Sequence, residues 1–159
     1  MATTAVRLEV SYGQLAVFVS SLEHPFNDWT DQHVSQGFAW RPGSVSFRTL
    51  LEAGQHLVEI NVVDHMSAVH HEAVRVVEVP FQVSTDGTVE VGSIAETVPL
   101  SLPTGLFLLR CELMQPQSLN ARVQLTFARN DEPRFAVVRA DNELSIDGEL
   151  LTNAEPAPG

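Results

Sequence analysis

Apolar and polar residues alternate with a period of two along most of this chain. Val6, Leu8 and Val10 alternate with Arg7, Glu9 and Ser11, and Leu15, Val17 and Val19 resume the pattern after Gly13. Side chains of an extended strand point alternately to opposite faces, so this spacing predicts strands with one buried face each. A turn at Tyr12-Gly13 predicts that the first two form a hairpin. Val45 and Phe47 alternate with Ser44, Ser46 and Arg48, and Val58, Ile60 and Val62 alternate with Glu59 and Asn61. Val74 and Val76 flank Arg75, whereas Val77 and Val79 flank Glu78. That slip of one residue between Val76 and Val77 predicts a β-bulge. Phe81 and Val83 are expected to pair with Val89 and Val91 across Asp86-Gly87, a dipeptide suited to a tight turn.

Two stronger strands follow. Phe107, Leu109, Cys111 and Leu113 carry one face with Leu106 and Leu108 on the other, which predicts burial on both sides. Ala121, Val123, Leu125 and Phe127 alternate with Arg122, Gln124 and Thr126, and a turn at Asn130 to Pro133 leads to Phe135 and Val137. Short strands at regular spacing predict an all-β fold, an antiparallel β-sandwich with one short helix in a long connection. Residues 1–150 are read as a single β-sandwich domain and residues 151–159 as a disordered tail.

The helix signal lies between Asp28 and Phe47, a stretch that also holds both tryptophans. Asp28 or Thr30 suits a helix N-cap, Asp31 favours the positive end of the helix dipole, and Gly37 suits the stop. Pro42-Gly43 matches the central positions of a type II turn. Trp29 and Trp40 therefore stand on either side of one to two helical turns.

Composition narrows the function classes. The chain has 159 residues, enough for one domain with a substantial core. No run approaches the roughly 18–20 apolar residues of a membrane-spanning helix, so membrane insertion is not expected. The N-terminus shows no signal-peptide pattern, and the one cysteine, Cys111, precludes an internal disulfide; a reducing, cytoplasmic location is expected. Twenty acidic residues stand against nine basic ones, all arginine, for a net charge of −11. Phosphates would be repelled, so direct nucleic-acid binding is not expected and a basic protein partner is favoured.

Catalytic and metal chemistry find little support. His65, His70 and His71 with Asp64 and Glu72 have metal-ligand residue types, but the spacing matches no zinc signature, and no metal or cofactor is expected. Cys111 lies on an apolar strand without a neighbouring base. No glycine elbow surrounds Ser44 or Ser46, and no glycine-rich phosphate loop is present. Asp28 and Asp31 form a carboxylate pair near aromatics but lack a second pair, so no catalytic residues are assigned. Tryptophan and arginine are enriched at binding hot spots, which makes Trp29, Trp40 and Arg41 candidates for a partner contact or for packing.

The segment Asp28 to Phe47, Asp-Trp-Thr-Asp-Gln-His-Val-Ser-Gln-Gly-Phe-Ala-Trp-Arg-Pro-Gly-Ser-Val-Ser-Phe, resembles the signature of the bacterial competence protein J family. Leu8 to Tyr12 ahead of Gln14 to Phe18 is also similar, and the length fits. Known members are described as inhibitors of the DNA-entry nuclease. The resemblance implies a non-enzymatic protein that binds and silences a nuclease. An acidic protein suits occlusion of a basic cleft, with Asp28, Trp29, Asp31, Trp40 and Arg41 as the expected partner-binding residues. The acidic stretch Asp141, Glu143, Asp147, Glu149 is not part of the motif and reads as dangling. The alternative is a small-ligand or metal-binding β-sandwich built on the histidine loop or an aromatic pocket.

Overall fold

The computed structural model describes residues 2–117, 120–146 and 148–158, so Asp147 lies outside them. In chain order the elements are β1 (Ala2–Val10), β2 (Gln14–Val19), α1 (Asp31–Gln36), β3 (Phe38–Arg41), β4 (Ser44–Arg48) and β5 (Gly54–Val63). There follow β6 (Ala73–Val83), β7 (Thr88–Gly92), β8 (Thr97–Ser101), β9 (Gly105–Met114), β10 (Ala121–Arg129) and β11 (Ala136–Arg139). They form a six-stranded sheet of order β1-β5-β10-β9-β6-β11 and a five-stranded sheet of order β3-β4-β2-β7-β8. The alternating residues of both sheets meet in one apolar cluster. Leu8, Val58, Leu125 and Leu109 from the larger sheet pack there with Leu15, Val17, Phe47 and Val91 from the smaller. Each such side chain stabilises the fold by roughly 1.5–3 kcal/mol through removal from water. The all-β sandwich is as expected.

The pairing differs from the local reading at two turns. Tyr12-Gly13 does not close a hairpin: β1 pairs with β5, while β2 pairs with β4 and β7 in the other sheet. Asp86-Gly87 likewise joins β6 of one sheet to β7 of the other. Both are corners at which the chain changes sheets. At the second, Gly87 has φ +66, its N–H donates to Ser84 and its carbonyl accepts from Leu102. A Cβ there would sit 2.7 Å from the Leu102 oxygen, so only glycine fits without a shift. One pair, β5 with β10, is parallel, because the β9–β10 hairpin inserts between β5 and β6.

The expected bulge is present but displaced. Ala73 opposes Met114 and Arg75 opposes Leu113, which leaves Val74 as the extra residue. From there Arg75, Val77, Val79, Phe81 and Val83 alternate without a slip and all face inward, each opposite or beside a core residue of β9. Arg75 is therefore an interior arginine, with no exposed surface. Among the described residues no helix is long and apolar enough to cross a membrane.

The segment beyond 150 is held rather than free, which corrects the expected disordered tail. Leu151 N–H donates to Gln36 Oε1, Ala157 N–H donates to Phe26 O, and Asn27 bridges Pro156. Backbone groups that find partners in the folded domain no longer need water, and that fixes a proline-bearing extended segment in place. The same holds upstream, where Asp141 and Glu143 are ion-pair partners of Arg75 and not dangling acids.

Candidate functional site

Local sequence chemistry shapes the helix of the opening segment. Thr30 is its N-cap: its Oγ1 accepts from His33 N–H at 3.4 Å, and His33 Nδ1 accepts from Thr30 N–H at 2.9 Å. A histidine thus takes the place usually held by Glu or Gln in a capping box. With Nδ1 an acceptor, the ring proton resides on Nε2, which donates to Asn153 O at 2.9 Å. Gly37 ends the helix with φ 91, and its N–H donates to His33 O. Leu144 packs 3.1 Å from where a Gly37 Cβ would stand, so the stop and the packing both require glycine.

Three of the five expected partner-binding residues form one ridge. Asp28 and Asp31 are exposed on either side of Trp29, which is half-buried. The Trp29 indole N–H donates to Gln14 Oε1 at 3.2 Å, and its ring meets His33 edge-on at 6.3 Å. One face of the ring lines an open groove of about 430 Å³ shared with Tyr12, Val34, Arg48, Leu50 and Glu52. Tyr12 is 73% exposed and holds φ 58, a conformation costly for a bulky residue. Asp31 lines a separate, smaller depression with Gln32, Ser35, Ser145 and Glu149.

The other two are placed elsewhere. Trp40 packs against the sandwich core, T-shaped on Phe135 at 4.9 Å, and its indole N–H donates to Pro80 O at 2.7 Å. Arg41 Nε donates to Asn27 Oδ1 at 2.7 Å and its Nη2 to His24 O. Burial lowers the Arg41 pKa below its ordinary value, and Glu155 opposes that shift. Asn27 in turn donates to the carbonyls of Ala39 and Ser44, so Arg41 organises the connection ahead of the helix.

Sequence reasoning missed Arg75. Its Nε and Nη2 donate to the two oxygens of Asp141 at 2.8 and 2.9 Å, Nη2 also reaches Glu143 at 3.1 Å, and Nη1 donates to Arg48 O at 2.8 Å. This guanidinium ties the end of β4 to the C-terminal segment and so positions the groove wall.

The histidine loop is engaged locally. His70 N–H donates to the buried Glu112 at 2.7 Å, and Glu72 N–H donates to His70 Nδ1 at 3.0 Å. The hydrogen bond from Arg122 holds the Glu72 carboxyl below the usual carboxylate range. His65 instead lines an open concavity on the outer face of the larger sheet with Asn61 and Gln124. Among the described residues no three His, Cys, Asp or Glu side chains gather as a metal-binding set. Burial pushes the Cys111 thiol well above its ordinary range, which suppresses the nucleophilic thiolate.

The family model described as Competence protein J (ComJ) matches residues 7–128. The chain belongs to the competence protein J family. A relative from Bacillus subtilis (strain 168), named DNA-entry nuclease inhibitor, is 27% identical over 105 residues, covering 65% of this chain and 76% of that one. The crystal structure of ComJ from Bacillus subtilis, titled as the inhibitor of the DNA degrading activity of NucA, matches with a TM-score of 0.70. That similarity spans 80% of this chain and 96% of that chain at 22% identity, and it shows a shared fold. Both relatives are named as inhibitors and not as enzymes.

Proposed function

We propose that this chain is a non-enzymatic inhibitor that binds a DNA nuclease and blocks its DNA-binding cleft. Family membership supports an inhibitor. The observation that carries the reading to a site is Trp29, half-buried between exposed Asp28 and Asp31 and facing a groove beside the exposed Tyr12. Aromatic anchors with one polar handle give large contact area at low entropic cost, and tryptophan is the residue most often found at hot spots. A DNA nuclease must present positive charge to phosphates, so a chain of net charge −11 is drawn to the same cleft. Opposite fields raise the encounter rate, and burial of the aromatic anchor slows release.

Trp40 and Arg41 support this face from within. Trp40 fixes β3 against the core, and Arg41 fixes the connection that presents Asp28 and Trp29. The test is a DNA-degradation assay with the DNA nuclease encoded nearest to this chain and a molar excess of the chain at low salt. Protection of DNA that weakens as salt screens the charges is expected. Complete degradation at low salt sinks the proposal for that nuclease.

A further inference from the structure

The ridge that carries Trp29 is completed by a segment the family match does not reach. The match ends at Ala128, yet residues 141–146 and 148–157 run back over α1 and the connection before it as a strap. Ser145 N–H donates to Ser35 O at 2.9 Å and Asp28 N–H donates to Glu155 O at 2.8 Å. Gln36 both accepts from Leu151 N–H and donates to Leu151 O, each at 2.8 Å. Gln32 donates to Glu149 O at 3.0 Å, and Asn153 O accepts from His33. The strap is thus bonded along its length to the element that presents the candidate site.

Its side chains then share the site's concavities. Glu143 lines the Trp29 groove with Glu52, and Glu149 lines the depression that holds Asp31. Glu155 follows Ala154, which is buried, and its backbone is held by Asp28. A partner seated on Asp28, Trp29 and Asp31 would meet these positions, because Glu143 shares the groove of Trp29, Glu149 the depression of Asp31, and Glu155 is bonded to Asp28. Glu149 and Glu155 are exposed, and among the described residues their backbone oxygens, not their carboxylates, make the hydrogen bonds that dock the strap. The Glu149 carboxylate is in no ion pair among the described residues, and that of Glu155, whose charge acts on Arg41, is also open to a basic surface.

We infer that the strap is a specificity element: Glu149 and Glu155 meet basic side chains of the nuclease, so the choice of nuclease is set partly outside the family core. This rests on the inhibitor reading above. Charges at the margin of an interface act on encounter rate and on rejection of wrong partners more than on folding.

The experiment compares the unaltered chain with Glu149→Arg/Glu155→Arg and with Glu59→Arg/Asp64→Arg, on β5 and in the bend just after it. Both pairs change net charge equally, so they separate a local effect from a global one. Inhibition of the nuclease and the melting temperature are read together. Inhibition by the strap pair is expected to weaken about tenfold or more, chiefly through slower association. Its melting temperature should fall only modestly, through the lost charge partner of Arg41, and the second pair should lose much less inhibition. Equal inhibition by the strap pair and the unaltered chain overturns the inference while leaving the inhibitor reading intact, and so does equal weakening by both pairs. Failure of the unaltered chain to inhibit overturns both.

Discussion

Arg75 and Asp141, 66 positions apart, form a two-pronged ion pair whose arginine end is wholly sealed from solvent. A guanidinium moved into a protein interior loses its hydration, and only a well-aligned carboxylate with further acceptors offsets that cost. Removal of one partner leaves the other charge stranded. Asp141→Ala is expected to destabilise the fold by about 3 kcal/mol, because Glu143 compensates only in part. Arg75→Met with Asp141→Leu should recover most of that loss. Chemical denaturation of the three proteins checks this, and a stable Asp141→Ala protein would show that the pair contributes little.

His33 joins three segments through one ring. Thr30→Ala removes a cap hydroxyl and is expected to cost about 1 kcal/mol. His33→Ala should cost more, about 2 kcal/mol, since it also releases Asn153. Hydrogen exchange should then show faster opening of both α1 and residues 151–157. Faster exchange in α1 alone would mean that the strap is held independently of the ring.

The two tryptophans should separate by phenotype. Trp40→Ala is expected to lower stability by about 3 kcal/mol, as a packed aromatic with a partly buried indole bond is lost. Trp29→Ala should cost only about 1 kcal/mol of stability, while weakening nuclease inhibition by about 2 kcal/mol or more, the size of a hot spot. If Trp29→Ala inhibits as well as the unaltered chain, Trp29 is a packing residue.

His56 supplies a pH dependence of defined sign. Its Nδ1–H donates to Gly54 O at 3.0 Å, while the buried Nε2 has no partner among the described residues. Burial lowers its pKa below the ordinary 6.5, with the Gly54 bond and Glu9 opposing less strongly. The folded state therefore takes up the proton less readily than the unfolded state. The stabilisation is complete above 6.5 and is lost as pH falls through the depressed folded value. Melting curves from pH 7 downward should show this, and His56→Leu should flatten the slope. An unchanged slope in the variant would assign the effect to other groups.

Features that depend on a few neighbouring residues were legible from sequence. Thr30 as one of two candidate caps with Asp28, Gly37 as stop and the Pro42-Gly43 turn each rest on local chemistry, and β4, β5, β9 and β10 follow from alternation alone. Choice of strand partner was not legible. A corner between sheets uses the same turn residues as a hairpin, so Tyr12-Gly13 and Asp86-Gly87 carried no sign of which they were. Arg75 sat at a position that alternation with its valine neighbours marks as outward, because the bulge at Val74 reverses the phase. Nothing local links it to Asp141. Of the candidate site, the aromatic and acidic ridge could be named from residue type, whereas the strap beside it looked like a solvated tail. Its proline and acid content is that of disorder, and only distant backbone partners say otherwise.

The ring of His33 reaches across 120 positions to Asn153, and Gln36 across 115 to Leu151. Contacts this distant in the chain close late, since long loops must be ordered before the contact stabilises anything. On the ribosome, the helix and its tryptophan emerge more than a hundred residues before the segment that braces them. The proposed nuclease-facing side is therefore expected to gain its bracing late, after most strands of the sandwich are available to pair.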